Sequence, residues 1–267
     1  HLEKVEVLRD NGNDAEVIVC WGLKEMSRLM KMYGQAPSPM DKEYKWPGLY
    51  KPFDHQRTTA SFLALRERAF CFNEAGTGKT SSVIWAADYL MNEGLIKRVL
   101  VICPLSIMYS AWQADVFHTA MHRTVAVAYG EVAKRKKVIE GEYEFVIINF
   151  DGVSTVRDDI AKAKFDLIVV DEANAYKVVS TKRWKTLAKL ITPSTRLWML
   201  TGTPASQSPM DAFGLAKLVN PTNIPRFANA WRDRVLFQVS RFKWVPKPDA
   251  QAVVFDALQP AIRFEKE

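Results

Sequence analysis

The stretch Asn73-Glu74-Ala75-Gly76-Thr77-Gly78-Lys79-Thr80 is a glycine-rich turn closed by an amine and a hydroxyl. Glycines let backbone N–H groups turn inward around phosphate oxygens, and a helix opening at Lys79 would add a favourable partial charge. Gly76, Thr77, Gly78, Lys79 and Thr80 therefore form a candidate cradle for nucleotide phosphates. Lys79 would reach the β- and γ-phosphates, and the Thr80 hydroxyl would face Mg²⁺. The general pattern GxxxxGK[ST] asks for glycine where this chain has Asn73, so a plain turn before a helix is the competing reading.

Asp171-Glu172 follow the apolar run Leu167-Ile168-Val169-Val170. In a parallel sheet the carboxyl ends of the strands collect the ligand, so these carboxylates would share a crevice with Lys79. Asp171 would hold Mg²⁺, directly or through water, and Glu172 would orient or deprotonate an attacking water. Alone, an Asp-Glu pair is ordinarily a solvated loop; the strand before it and the cradle give this one its meaning. Thr201-Gly202-Thr203-Pro204 ends a further apolar run. Its hydroxyls could carry hydrogen bonds that differ between nucleotide states, and a β-turn built on Gly and Pro is the alternative.

Strands and helices must deliver these groups. From Phe53 onward, short apolar runs alternate with helical patterns, which argues for an α/β fold with a parallel sheet flanked by helices. The candidate strands are residues 69–72, 99–103, 125–128, 145–149, 167–170 and 197–200. Val83, Ile84, Ala87, Leu90 and Met91 make one apolar helical stripe after the cradle. Residues 1–21 read as a hairpin around Asn11-Gly12-Asn13-Asp14, and residues 24–33 as a helix. Pro37, Pro39, Pro47 and Pro52 mark an irregular linker. The boundary falls near residue 48, giving an N-terminal appendage over 1–48 and the main domain over 49–267.

The 267 residues are 48% hydrophobic, enough for one sizeable core, and 37 Lys and Arg against 30 Asp and Glu leave a charge of +7. That balance suits a polyanion partner and an ordinary basic enzyme alike. Cys20, Cys71 and Cys103 have no CxxC spacing, so neither a disulfide framework nor a zinc site is indicated, and a reducing cytoplasm fits. No apolar stretch reaches the roughly 18 residues of a membrane span, so no membrane partner is expected.

In this order the motifs resemble those of superfamily 2 helicases, and within them the Swi/Snf-type ATPases, including the shorter versions found in phages. The resemblance runs from about Tyr50 to Arg263. It implies a RecA-like P-loop NTPase domain, ATP and Mg²⁺ as cofactors, and DNA as partner. Duplex is favoured, and RNA remains open because backbone contacts alone do not identify the sugar. Lys51-Pro52-Phe53-Asp54-His55-Gln56 resembles the Q motif, whose glutamine reads adenine, so Gln56 is the implied adenine contact. Residues 73–80 resemble motif I of that family, which also lacks the first glycine.

Val101-Ile102-Cys103-Pro104-Leu105-Ser106 followed by Trp112 resembles motif Ia, and residues 145–150 resemble motif Ib. The implied nucleic-acid contacts are Pro104, Leu105, Ser106, Asn149 and Lys177, the last where the family carries a lysine after motif II. Val178 replaces a usual asparagine. Asp171-Glu172-Ala173-Asn174 resembles motif II with Asn in the family's His place; Asn exchanges hydrogen bonds but does not titrate near neutrality. Asn174 with Thr201, Gly202 and Thr203 of motif III are the implied coupling residues. Lys182, Arg183, Lys185 and Lys189 either line a phosphate-tracking surface or form a solvated helix face.

In the family, ATP binds between two RecA-like domains, and the second supplies arginine fingers and half of the nucleic-acid track. Only four residues follow Arg263, too few for a second domain. The chain is therefore expected to be the N-terminal lobe of a DNA-dependent translocase or helicase, weakly active by itself. The alternatives are a motor subunit of a restriction system and a nonhydrolysing nucleic-acid-binding module; intact Lys79, Asp171 and Glu172 speak against the module. His118 and His122 have metal-pair spacing, but Thr119 stands where a zinc protease carries Glu, which favours a solvated pair. Trp231, Phe237, Phe242 and Trp244 could stack on bases, with buried packing preferred.

Overall fold

The apolar runs that alternate with helical stripes become a seven-stranded parallel sheet in the computed structural model, which describes residues 5–205, 207–241 and 243–266. The first third holds β1 (Val5–Asp10), β2 (Ala15–Val19), α1 (Leu23–Tyr33), α2 (Met40–Glu43), α3 (Asp54–Ala64), β3 (Arg68–Cys71) and α4 (Lys79–Asn92). Then come β4 (Val99–Cys103), α5 (Ala114–Thr119), β5 (Val125–Ala128), α6 (Val132–Glu140), β6 (Phe145–Asn149), α7 (Phe150–Thr155) and α8 (Arg157–Ala163). The remainder is β7 (Leu167–Asp171), α9 (Lys182–Leu190), β8 (Arg196–Leu200), α10 (Asp211–Val219), α11 (Ala228–Val235), β9 (Leu236–Ser240), β10 (Lys243–Pro246), α12 (Ala250–Ala257) and β11 (Ala261–Ile262).

The sheet order is β11-β3-β8-β7-β4-β6-β5. Successive side chains on a strand point to opposite faces, so an unbroken apolar run serves two cores at once. Phe70, Leu100, Ile102, Ile168 and Val170 enter one cluster, while Ala69, Cys71, Val99, Val101 and Val169 enter the other. Helices α1 to α5 cover the second cluster, and α6 to α12 cover the first. The strands expected at 99–103, 125–128 and 145–149 match β4, β5 and β6 to the residue, and β7 runs one residue further, into Asp171.

Ahead of residue 48 the chain behaves in two ways. Leu23, Met26, Met40 and Tyr44 are buried with α3 and α4. The Tyr44 hydroxyl donates to the buried Asp88 at 2.6 Å, and Trp85 Nε1 donates to the Pro47 carbonyl at 2.9 Å. By contrast, every residue of β1 and β2 except Val19 is exposed. The expected turn at 11–14 does join two antiparallel strands, with a register shift between Val7 and Arg9.

Two features had no counterpart in the sequence reading. The hairpin β9-β10 exposes Phe237 at 45% instead of burying it, whereas Trp231 is fully buried. Trp244 lies under the Arg232 guanidinium at 4.3 Å, and Phe242 lies outside the described residues. The edge strand β11 adds to β3 through Ala261↔Phe70 and Ile262↔Cys71. Among the described residues no helix is long and apolar enough to cross a membrane.

Candidate functional site

The sheet order sets the candidate residues in a row along its carboxyl edge. Neighbouring strands β3, β8 and β7 lead into residues 73–80, 201–203 and 171–174. Next along the edge, β4 leads into Pro104 and β6 ends at Asn149.

In the candidate phosphate cradle Gly76 and Gly78 have φ of 84° and 75°, a backbone that side chains resist. A Cβ on Gly78 would also lie 2.0 Å from Gln56 Nε2, so the position admits only glycine while Gln56 stays where it is. Gln56 Nε2 donates to the Thr77 carbonyl at 3.3 Å, and its Oε1 accepts from the Phe53 N–H at 3.0 Å. His55 Nε2 donates to the same Thr77 carbonyl at 2.9 Å. Lys79 Nζ donates back to the carbonyls of Asn73 at 2.8 Å and Glu74 at 3.0 Å. The Thr80 hydroxyl has no hydrogen-bond partner among the described residues.

Opposite the amine lies the acidic pair. Asp171 is buried; its Oδ2 accepts from Trp112 Nε1 at 3.0 Å, and its Oδ1 from the Glu172 N–H at 2.9 Å. Glu172 sits at φ 53° and ψ 54°, a left-handed backbone that costs a side chain of this kind on the order of 1–3 kcal/mol and is typical of functional turns. Burial pushes the Asp171 carboxyl above the ordinary range, against the Trp112 and Glu172 N–H groups and the Lys79 charge. Glu172 is raised by burial and by Asp171 beside it, again opposed by Lys79. The amine and both carboxyls thus belong to one electrostatic site.

This donor set fits Mg²⁺ held jointly with a nucleotide, since that ion binds to one or two protein oxygens and completes its shell with phosphate and water. Asp171 offers a carboxylate and Thr80 a hydroxyl with no other partner. Among the described residues no group of three or more His, Cys, Asp and Glu side chains could hold a metal unaided. The histidine pair is broken by the end of α5 at Thr119, and His122 Nε2 rests on Asp88 at 2.8 Å.

Asn174 reaches the loop after β8. Its Nδ2 lies 3.1 Å from Thr201 Oγ1, 2.8 Å from the Thr203 carbonyl and 3.1 Å from Thr203 Oγ1, two hydrogens shared among three acceptors. A Cβ on Gly202 would touch the Asn73 carbonyl at 3.7 Å, so this loop lies against the cradle.

On the other half of the edge, Leu105 and Ser106 are exposed on a short turn after β4. The chain continues as a π-helix, Met108–Gln113, a wide turn common at functional sites, which delivers Trp112 inward to Asp171. Asn149 precedes α7 and accepts from Arg135 Nη1 at 3.3 Å. Lys177 is already engaged, with Nζ 2.8 Å from Gln207 Oε1 and 3.2 Å from Asp211 Oδ2. Arg183 similarly pairs with Asp151 at 3.0 Å.

Sequence reasoning missed two connections. Trp112 was visible only as a motif spacing, which says nothing of its indole N–H. Asn73, standing where the general pattern has glycine, ties the structure together: Nδ2 donates to Thr59 Oγ1 at 2.8 Å, and Oδ1 accepts from the Phe264 N–H at 2.9 Å. The Glu74 N–H donates to the Phe264 carbonyl at 2.9 Å. Asn73 thereby clamps α3 and the segment after β11 to the phosphate cradle.

Over 186 residues the chain is 31% identical to the SWI/SNF-related matrix-associated actin-dependent regulator of chromatin subfamily A-like protein 1 of Xenopus laevis, covering 67% of this chain and 18% of that protein. It is 24% identical over 179 residues to an uncharacterized ATP-dependent helicase of Bacillus subtilis, covering 66% of this chain and 30% of the relative. The chain therefore spans only a minor part of these relatives. Its fold matches the SWI2/SNF2 ATPase core of Sulfolobus solfataricus in complex with dsDNA with a TM-score of 0.68 at 20% identity, covering 83% of this chain and 46% of that one. Residues 55–257 match the SNF2-related domain, from the helix that carries Gln56 to the end of α12, and the chain belongs to that family.

Proposed function

We propose that this chain is the N-terminal, ATP-binding lobe of a DNA-dependent ATPase that acts as a translocase or helicase. The reading rests on one observation: β3 and β7, separated only by β8, bring Lys79 close enough to Asp171 and Glu172 for its charge to act on both carboxyls. Lys79 would exchange the Asn73 and Glu74 carbonyls for β- and γ-phosphate oxygens, to which backbone N–H groups of the 76–80 turn would also donate. Gln56 would contact adenine, and Thr80 with Asp171 would hold Mg²⁺. The ion, when bound, neutralises charge on the phosphate oxygens. Glu172 would orient a water and take its proton as the water oxygen bonds to the γ-phosphorus and the bond to the β-phosphate oxygen breaks. Asn174 with Thr201, Gly202 and Thr203 would carry that change across the edge.

Pro104, Leu105, Ser106 and Asn149 would meet the nucleic-acid backbone, while Lys177 would first have to leave Asp211. Such contacts are independent of sequence and of sugar. The related core bound to dsDNA favours duplex DNA over RNA. We take residues 1–48 as an appendage, its α1 and α2 packed onto α3 and α4, and 49–267 as the first RecA-like domain, with a second such domain needed to close the ATP cleft. An arginine from that second domain is worth roughly 10³ to 10⁵ in rate, so the isolated chain would bind nucleotide and turn it over slowly.

The test is DNA-stimulated ATP hydrolysis by the complete protein and its Lys79→Ala variant. Activity should vanish in the variant, and equal activity in both would remove the motor reading. Vigorous turnover by the 267-residue chain alone would overturn the claim of incompleteness.

A further inference from the structure

β5 is the outermost strand on the nucleic-acid side of the edge, and its register Ala128↔Ile148 brings the loop after it beside Asn149. From that loop rises α6, with Lys134, Arg135, Lys136 and Lys137 in succession. Lys136 is paired with Asp159 at 3.4 Å. Arg135 has no carboxylate partner among the described residues. Its Nε donates to the Gly130 carbonyl at 2.8 Å, its Nη1 to Asn149 Oδ1 at 3.3 Å, and its guanidinium lies 5.8 Å from the Tyr129 ring centre. Gly152 leaves the room for it, since a Cβ there would stand 2.1 Å from Nη1. A guanidinium keeps its charge at any accessible pH, and neutral partners leave that charge uncompensated.

Asn149 supplies the second observation. An asparagine at a helix N-cap ordinarily turns its side-chain oxygen to a free N–H of the first turn. Here α7 has no such bond from Asn149. Arg135 takes that oxygen instead, which leaves the Nδ2 amide without a partner among the described residues. An amide meeting a phosphate must offer its N–H and turn its oxygen away, and Arg135 enforces that orientation. The register Cys103↔Asn149 sets this pair beside the exposed turn at Leu105 and Ser106.

We propose that Arg135 is a backbone-phosphate contact that extends the nucleic-acid track to the end of β5 and fixes the Asn149 amide to face the same strand. The inference rests on the nucleic-acid reading of this edge. A purely structural Arg135 would tie the loop to β6 and carry no phosphate.

The experiment follows binding of the 267-residue chain to a fluorescent duplex by anisotropy across a KCl series, with melting temperatures taken in parallel. Arg135→Gln should weaken binding about fivefold at low salt and make the slope of log K against log salt shallower by about one. Arg135→Lys should keep the wild-type slope. Asn149→Ala should weaken binding with the slope unchanged. Lys162→Gln removes a charge near the end of α8, on the amino side of the sheet where Arg98 donates to the Ala163 carbonyl, and should alter neither quantity. If Gln unfolds the chain, Arg135→Met keeps the aliphatic stem and reads the same slope. A wild-type slope in the charge-removing variant, whatever its melting temperature, makes Arg135 structural and overturns the inference. Absence of any salt-dependent binding by the wild type removes the nucleic-acid reading itself, and the inference with it.

Discussion

Along the carboxyl edge of the sheet, the ends of β3, β8 and β7 differ from the ends of β4, β6 and β5 in how their side chains are held. On the first half, Lys79, Asp171, Asn174 and Gln56 each have defined hydrogen-bond partners, and Asp171 and Thr201 are buried. On the second, Leu105 and Ser106 face solvent, and the Asn149 amide has unused donors. The proposed phosphate chemistry requires groups fixed to fractions of an ångström, and the hydrogen bonds of the first half hold them in place. A track that must grip and release successive phosphates does better with exposed donors and charges whose hold is set by salt.

That contrast can be broken most directly at Glu172. Glu172→Gln keeps the shape of the turn and removes the proton acceptor, so hydrolysis by the complete protein should fall about 10²- to 10⁴-fold while nucleotide binding persists. Titration calorimetry alongside turnover separates the two; parallel loss of both would mean that Glu172 supports the cradle and not the water.

Trp112→Phe probes the bond between the halves. Asp171 would lose a buried donor, at a cost of about 1.5–3 kcal/mol for a hydrogen bond to a charged group. The Mg²⁺ concentration needed for nucleotide binding should rise about tenfold, and an unaltered Mg²⁺ requirement would relegate the indole to packing.

A smaller effect of opposite sign is expected for Asp171→Asn in the metal-free chain. Burial raises the folded-state pKa of this carboxyl, so folding is favoured while it is protonated and loses that contribution as pH climbs from the ordinary carboxylate range through the raised value. Asparagine removes the loss: the melting temperature should rise about 2–4 °C at neutral pH and converge with wild type in acid. A drop at neutral pH would show that its hydrogen bonds outweigh its burial. The smallest change is expected in the exposed hairpin, where Val7→Lys should shift stability by no more than about 0.5 kcal/mol in a denaturant titration.

Much of the proposed ATP half could be located on the sheet edge from the sequence because its signals are local. Gly76, Gly78, Lys79 and Thr80 lie within one turn, and inner strands covered on both faces read as unbroken runs such as Leu167 to Val170. The partners of those residues were not legible. β11 has two residues and exists only because β3 offers an edge, a pairing of Ala261 and Ile262 with the distant Phe70 and Cys71. Lys177 matched a family position, but its neutralisation by Asp211 depends on how α10 packs. Arg135 sits in a basic run that reads as a solvated face until Gly152 and Asn149 are seen beside it.

The indole of Trp112 has a consequence for motion. It is wholly enclosed and belongs to the same wide helical turn that begins beside Ile107, so it cannot follow a shift of the 105–107 segment without disturbing an oxygen of Asp171. On the proposed reading, tension from a nucleic acid held at that segment would be felt as a change in how firmly Asp171 holds Mg²⁺.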